Sequence, residues 1–133
     1  MAISSPHRRL RRLILPALLT ALSACARHPS TDVGDDAGPT VIEFNNESLA
    51  QADVFVRAPG TDTRRIGTVQ AGRKEALVIP RDIAVKGSVT VFARLLARSA
   101  VPSTGAIALS PGTHLNVRLP IDERALFVLP APS

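Results

Sequence analysis

Short apolar runs separated by turn residues constrain the fold of this chain more than any other feature. From Thr40 onward, runs rich in Val, Ile and Phe alternate with turn signals at intervals of roughly ten residues. Eleven prolines and eight glycines among the 133 residues interrupt the chain too often for a helix bundle. This spacing is typical of a β-sandwich or barrel, and all four phenylalanines fall inside the runs, where they are predicted to be core: Phe44, Phe55, Phe92 and Phe127.

Seven or eight strands are predicted in the part of the chain that follows residue 39. The segment 88–96 also fits helical spacing, but β-branched residues open it, and a strand is favoured. A domain of about 90 residues with this many strands has the size of a small antiparallel β-sandwich, immunoglobulin-like or transthyretin-like. The predicted strands are residues 41–45, 53–57, 65–70, 74–79, 88–96, 106–109, 114–119 and 126–129.

Two hairpins are predicted from the turn residues. The clearer one joins the third and fourth predicted strands through Ala71-Gly72, which would place Ile66 opposite Leu77 and Thr68 opposite Glu75. The other joins the sixth and seventh predicted strands around Pro111-Gly112.

The first 24 residues have the pattern of a secretory signal. Residues 1–12 are basic and contain no acid, and residues 13–24, LILPALLTALSA, carry no charge. Because a membrane-spanning helix needs about 20 apolar residues, this run is too short for a standard transmembrane anchor. A basic segment followed by a short apolar one predicts export from the cytoplasm.

The apolar run ends in Leu22-Ser23-Ala24-Cys25. This tetrad resembles the lipobox of bacterial lipoproteins. The resemblance implies cleavage between Ala24 and Cys25, acyl chains such as palmitate on Cys25, and anchoring to the cell envelope. Ala26 and Arg27 follow the cysteine where an Asp would favour the inner membrane, so the resemblance implies the outer membrane, facing the periplasm, in an organism that has one.

Residues 25–39 are predicted to be the lipidated cysteine and a flexible linker, followed by the β-sandwich domain over 40–130. Pro, Gly, Ser, Thr and Asp dominate this linker. Its three aspartates do not have the spacing of a calcium-binding EF-hand loop. They are Asp32, Asp35 and Asp36.

The net charge of +5 is concentrated in the leader. Four arginines lie in the first dozen residues, and the rest of the chain has 12 basic residues against 11 acidic ones. This nearly neutral body argues against nucleic-acid binding.

No catalytic, metal-binding or cofactor motif stands out. His114 is the one histidine after the linker, and a Ser-His-Asp arrangement would need Ser103 or Ser110 with Asp82 or Asp122. No nucleophile motif marks either serine, so the sequence predicts that the protein is not an enzyme and has no cofactor.

Arg64, Arg65, Arg73 and Lys74 are the predicted contact surface for anionic lipid headgroups or acidic polymers, because they cluster at the two ends of the first predicted hairpin. The alternative is that these charges solvate strand faces and guard edges. Arg94, Arg98 and Arg118 are candidates for a second basic strip.

These observations predict a lipid-anchored envelope protein that acts as a non-enzymatic interaction or structural module. Its expected partners are the membrane, through the lipid on Cys25, and another envelope protein. A carrier of an apolar ligand is the alternative, although about 90 residues leave little room for a cavity beside a packed core. A small hydrolase that uses His114 is the least favoured hypothesis.

Overall fold

The computed structural model describes residues 37–130. Every described residue belongs to one compact unit, Asp32–Ser133. The predicted signal segment, its cleavage site and Cys25 lie outside the described residues. All described strand pairs and core residues fall within Asp32–Ser133, so this unit contains what a domain needs to fold by itself.

Eight strands and one four-residue helix make up the described part of the chain. The predicted strands are confirmed with small shifts at their ends, and the ambiguous segment 88–96 is a strand. The elements are β1 (Val41–Asn46), β2 (Ala52–Arg57), β3 (Arg64–Val69), β4 (Lys74–Val78), α1 (Arg81–Ala84), β5 (Ser88–Leu95), β6 (Ser103–Ala108), β7 (His114–Leu119) and β8 (Phe127–Leu129).

The strands form two four-stranded sheets that pack face to face, so the predicted β-sandwich is confirmed. Sheet A has the order β4-β1-β7-β8, and sheet B has the order β3-β2-β5-β6. All neighbouring strands are antiparallel except β1 and β7, which run parallel. In an immunoglobulin domain the strands, numbered along the chain, lie in the orders 1-2-5-4 and 3-6-7. The orders of sheets A and B differ from these, so the transthyretin-like sandwich is the remaining one of the two predicted types.

Both predicted hairpins are wrong. β3 pairs with β2 in sheet B, whereas β4 pairs with β1 in sheet A. Likewise, β6 pairs with β5 and β7 pairs with β1 and β8, so the chain crosses between the sheets at each predicted turn. A tight turn fixes where the chain reverses, but burial of each strand's apolar side decides which neighbour it pairs with.

The core lies between the two sheets and is filled by aliphatic side chains from both. Val54 and Val56 of β2 and Val89 and Val91 of β5 face it from sheet B, and each is at most 1% exposed. α1 closes one end of the sandwich with Ile83 and Ala84, which are also buried. From sheet A the main contributors are Ile42, Phe44, Leu77, Val117 and Leu119.

Only one of the four phenylalanines is part of this core, so the prediction for the other three is wrong. Phe44 is fully buried, whereas Phe127 is 48% exposed on the edge strand β8. Phe55 and Phe92 are half-buried on the outer side of sheet B. The reason is strand periodicity: side chains alternate between faces, and the valines next to Phe55 take the inner positions.

Asn46 holds the end of β1 to the neighbouring connections. Its side chain is fully buried, and Nδ2 donates to the carbonyls of Ala50 (2.8 Å), Val69 (3.1 Å) and Gln70 (3.2 Å). Its Oδ1 accepts from the backbone N–H and the hydroxyl of Ser48 at 3.0 and 2.7 Å. This cluster satisfies the backbone groups at the point where the chain leaves sheet A for sheet B.

Candidate binding face on the outer side of sheet B

Two phenylalanines form the centre of an exposed face on sheet B. Phe55 of β2 and Phe92 of β5 are direct partners in the antiparallel register. Both project away from the core, because Val54 and Val56 and their counterparts Val91 and Ala93 take the inward positions. Directly opposed side chains on one face of a sheet lie in contact range, so the two rings form a continuous apolar strip.

An arginine covers each ring from the neighbouring strand. The guanidinium carbon of Arg57 on β2 lies 5.0 Å from the centre of the Phe92 ring on β5. In the reverse direction, Arg94 on β5 lies over the Phe55 ring on β2, at 6.0 Å. Each arginine is two residues beyond the phenylalanine of its own strand, so both contacts run diagonally across the sheet. At exposed sites such cation–π contacts are worth about 0.5–1 kcal/mol each.

These four side chains line an open groove of about 390 Å³. Its remaining lining comes from Thr63, just before β3, and Val101, just before β6. Val101 is 53% exposed, so the apolar surface of the groove continues past the rings. The groove therefore offers an apolar floor with a cation on each side, a combination that suits a ligand with both apolar and anionic groups.

Asp53 supplies the one negative charge among the outward side chains of β2. Its Oδ1 accepts from Thr68 Oγ1 and from Arg65 Nη2, each at 2.7 Å, and Arg65 also contacts the Thr68 hydroxyl. The hydrogen bond from Thr68 and then that from Arg65 lower the pKa of the Asp53 carboxyl below its ordinary value of 3.8. Asp53 is therefore ionised at neutral pH and is engaged with Arg65.

The outer faces of the two sheets differ in how their charges are balanced. On sheet A, Lys74 pairs with Glu43 at 2.7 Å and Arg118 approaches Glu47 at 3.9 Å. On sheet B, within residues 37–130, neither Arg57 nor Arg94 forms a salt bridge. Arg94 lies opposite Asp53 in the register of β2 and β5 and interacts with its charge, but the salt bridge of Asp53 is with Arg65. The outer face of sheet B thus has two guanidinium groups that lie over aromatic rings and form no salt bridge in the described range.

The four residues of the predicted basic surface do not share one hairpin. Arg64 and Arg65 lie on β3 of sheet B, and Lys74 lies on β4 of sheet A. Arg64 pairs with Asp82 at 3.0 Å and Arg65 with Asp53 at 2.7 Å. Arg73 lies in the crossover between the sheets and, among the described residues, has no salt-bridge partner.

The residues proposed for a second basic strip are also separated. Arg94 belongs to the face described above, and Arg98 pairs with Glu123 at 3.0 Å. Arg118 is on the outer side of sheet A. Sequence reasoning missed Arg57 and the two phenylalanines, although alternation in β2 places Phe55 on the same side as Asp53 and Arg57.

His114 is exposed at the start of β7, and its side chain has no hydrogen bond to any described residue. Ser103 lies on β6 in the other sheet, and Asp82 binds Arg64. Ser110 Nα donates to Thr113 Oγ1 at 3.3 Å in the turn before β7. The structure therefore does not connect these residues as a nucleophile, a base and an acid.

Residues 37–130 contain no cluster of three or more His, Cys, Asp or Glu side chains able to hold a metal ion. No helix in this range is long and apolar enough to cross a membrane.

Comparison of the chain with models of known protein families and with curated proteins finds no match.

Proposed function

We propose that this chain is a lipid-anchored protein of the bacterial cell envelope whose β-sandwich is a non-enzymatic binding module. The outer face of sheet B, made of Phe55, Arg57, Phe92 and Arg94, is the proposed binding site. The observation that carries this proposal is the pair of arginines that lie over two half-buried rings and form no salt bridge among the described residues.

Arginine and aromatic side chains are the residue types most enriched where proteins bind partners. On this face they are held in place, since each guanidinium lies against the ring of the neighbouring strand. A side chain that is already ordered loses less conformational entropy on binding. The same residues on a purely structural face would be expected to pair with carboxylates, as Lys74 does with Glu43 on sheet A.

The proposed anchor depends on the sequence Leu22-Ser23-Ala24-Cys25. A second acyl chain is what makes such an anchor stable, because a single chain gives only reversible membrane binding. We place the mature protein at the outer membrane, facing the periplasm, since Ala26 and Arg27 follow the cysteine.

The two other hypotheses have less support from the geometry. A carrier needs an internal cavity, whereas the space between the sheets is occupied by the core side chains, and the groove beside the rings is open to solvent. A hydrolase needs a base beside a nucleophile, whereas His114 has no such partner among the described residues.

Intact mass spectrometry of the membrane-extracted protein tests the anchor. We expect a species that begins at Cys25 and carries the mass of added acyl chains. In the Cys25→Ala variant this species should disappear and the protein should leave the membrane fraction. An unacylated, soluble wild-type protein would contradict the proposed anchor.

Site-specific photo-crosslinking tests the proposed binding face. A photoreactive residue in place of Thr63, which lines the groove, should give crosslinked products in intact envelopes. The matched control is Ala76, which is exposed on β4 of sheet A. Equal yields from both positions, or none from Thr63, would count against sheet B as the binding face.

A further inference from the structure

We infer that the outer face of sheet B binds the anionic phospholipid headgroups of the bilayer that carries the anchor, with Arg57 and Arg94 as the phosphate-contacting residues. This inference deepens the proposed function and rests on it, since the anchor at Cys25 is what keeps the face close to lipid. Four features support the inference: the free N–H groups of the two arginines, the positive charge of the face, the short segment of chain that follows Cys25, and the position of the arginines within the sheet.

The two arginines have hydrogen-bond donors available for a ligand. A guanidinium is planar, and its N–H groups lie in the plane and point outward from its edge. Arg57 and Arg94 lie over the rings of Phe92 and Phe55, and no described residue accepts a hydrogen bond from either guanidinium, so their N–H groups remain available. A phosphate can accept two parallel N–H bonds from such an edge.

The outer face of sheet B carries an excess of positive charge. Its outward side chains include Arg57, Arg65 and Arg94 against the single carboxylate of Asp53, and Asp53 is bonded to Arg65. An excess of positive charge therefore remains at the two ends of the Phe55–Phe92 strip. On sheet A the pairs Lys74–Glu43 and Arg118–Glu47 leave no comparable excess. Of the two described outer faces, that of sheet B is the one complementary to a surface of phosphates.

A short segment of chain joins the proposed anchor, Cys25, to the described residues. Residues just before β1 contact the turn before β7, where Gly112 Nα donates to Thr40 Oγ1 at 2.9 Å. Of the residues that the structure describes, those before β1 therefore do not cover the outer face of sheet B. Cys25 precedes Ala37 by 12 residues, a segment that spans at most about 40 Å when extended. A sandwich on such a tether stays within about one domain diameter of the bilayer, so even a weak lipid contact is populated.

A lipid surface and an acidic protein segment would offer similar hydrogen-bond acceptors, but the position of the arginines within the sheet distinguishes between them. Peptides that pair with a sheet bind along an edge strand, whereas Arg57 and Arg94 lie on the two central strands, β2 and β5. An open face with cations at both ends fits a broad surface better than a single extended segment. The observations therefore favour the bilayer.

Vesicle co-flotation of the unit Asp32–Ser133 tests the inference without the lipid anchor. We expect it to float with vesicles that contain phosphatidylglycerol and to remain in solution with vesicles of phosphatidylcholine alone. The Arg57→Gln and Arg94→Gln variants should each lower the partition coefficient about fivefold, the effect expected for one basic residue near an anionic bilayer. Added salt should weaken wild-type binding in the same direction.

Arg124→Gln is the matched control, because Arg124 is an exposed arginine between β7 and β8 of sheet A and has no salt bridge in the described range. It removes the same charge from a different place and should leave partitioning nearly unchanged. An equal loss for all three variants would show that net charge, and not this face, drives binding, and would overturn the inference. Circular dichroism of each variant confirms that the sandwich remains folded.

Two further outcomes separate this inference from the proposed function. If mass spectrometry finds the acylated Cys25 species but the unit ignores phosphatidylglycerol, the lipid-binding inference falls and the anchor stands. If the unit ignores the vesicles while a photoreactive residue at position 63 crosslinks to a protein in intact envelopes, the face is protein-binding and the lipid inference is wrong.

Discussion

Phe55 and Phe92 face each other directly across β2 and β5 on the solvent side of the sandwich, and each ring is covered by an arginine from the opposite strand. An aromatic pair of this kind contributes stability beyond its buried area. The four side chains therefore combine two roles, since they stabilise the centre of sheet B and present two cations to solvent.

The first prediction concerns coupling between the two rings. In a double-mutant cycle of Phe55→Ala and Phe92→Ala, we expect a coupling energy of about 0.5–1.5 kcal/mol, because the rings are in direct cross-strand register. Urea unfolding gives the four stabilities. Phe44→Ala, in the core, serves as the reference and should cost about 3–5 kcal/mol, more than either outer ring. A coupling energy near zero would show that the rings do not interact.

The second prediction concerns the buried Asn46 cluster. Asn46→Ala removes the donor to three backbone carbonyls and leaves buried acceptors without a partner, so we expect a loss of about 2–4 kcal/mol in the free energy of unfolding. Asn45→Ala is the neighbouring control, because the Asn45 side chain makes an exposed hydrogen bond to Glu47. It should change stability by less than about 0.5 kcal/mol. Similar losses for both variants would argue against the cluster.

The third prediction concerns the contact between Gly67 of β3 and Leu77 of β4. A Cβ atom at Gly67 would lie 2.5 Å from Leu77 Cδ2, so Gly67→Ala should destabilise the fold by about 1 kcal/mol through overpacking. In a Leu77→Ala background the clash is gone, and Gly67→Ala should instead be neutral or stabilise by up to about 1 kcal/mol, since it restricts the unfolded chain. Thermal or urea unfolding of the four proteins measures this change of sign. The same sign in both backgrounds would rule out the contact as its cause.

The fourth prediction concerns the pH dependence contributed by Asp53. Its pKa in the folded protein lies below the ordinary value of 3.8, so the folded state favours the ionised carboxylate. The resulting stability is fully present above the unfolded pKa and is lost as the pH falls through the folded pKa. The carboxylate is 37% exposed, which limits the effect to less than about 1 kcal/mol.

Urea unfolding of the wild type and Asp53→Asn at several pH values provides the measurement. We expect the wild type to be more stable at neutral pH and the difference to shrink below about pH 4, where the carboxylate becomes protonated in the unfolded state. A difference that stays constant down to strongly acidic pH would show that the charge of Asp53 does not contribute.

The candidate face illustrates what periodicity reveals and what it leaves open. Alternation in β2 assigns Asp53, Phe55 and Arg57 to one side and the two valines to the other. It was therefore possible to place Phe55 outside the core before the structure was known. The partner strand could not be found this way, because the register of β5 against β2 joins residues 37 positions apart, Phe55 and Phe92.

The local sequence determined most of the strands and the class of fold. Val, Ile and Phe favour extended backbone, and Pro and Gly interrupt it at regular intervals, so these signals act within a few residues. The leader and the lipobox-like tetrad that ends in Cys25 are equally local features, and they remain the basis of the proposed location.

Only the tertiary structure decided which strands are neighbours and which apolar side chains stay outside. A turn such as Ala71-Gly72 reverses the chain equally well within a sheet and between sheets. The choice depends on burying the inner faces of both sheets at once, with Asn46 satisfying backbone groups where the chain changes sheets. Burial and hydrogen bonding between residues distant in sequence are collective, and for that reason the arginine-covered ring pair became visible only in the folded molecule.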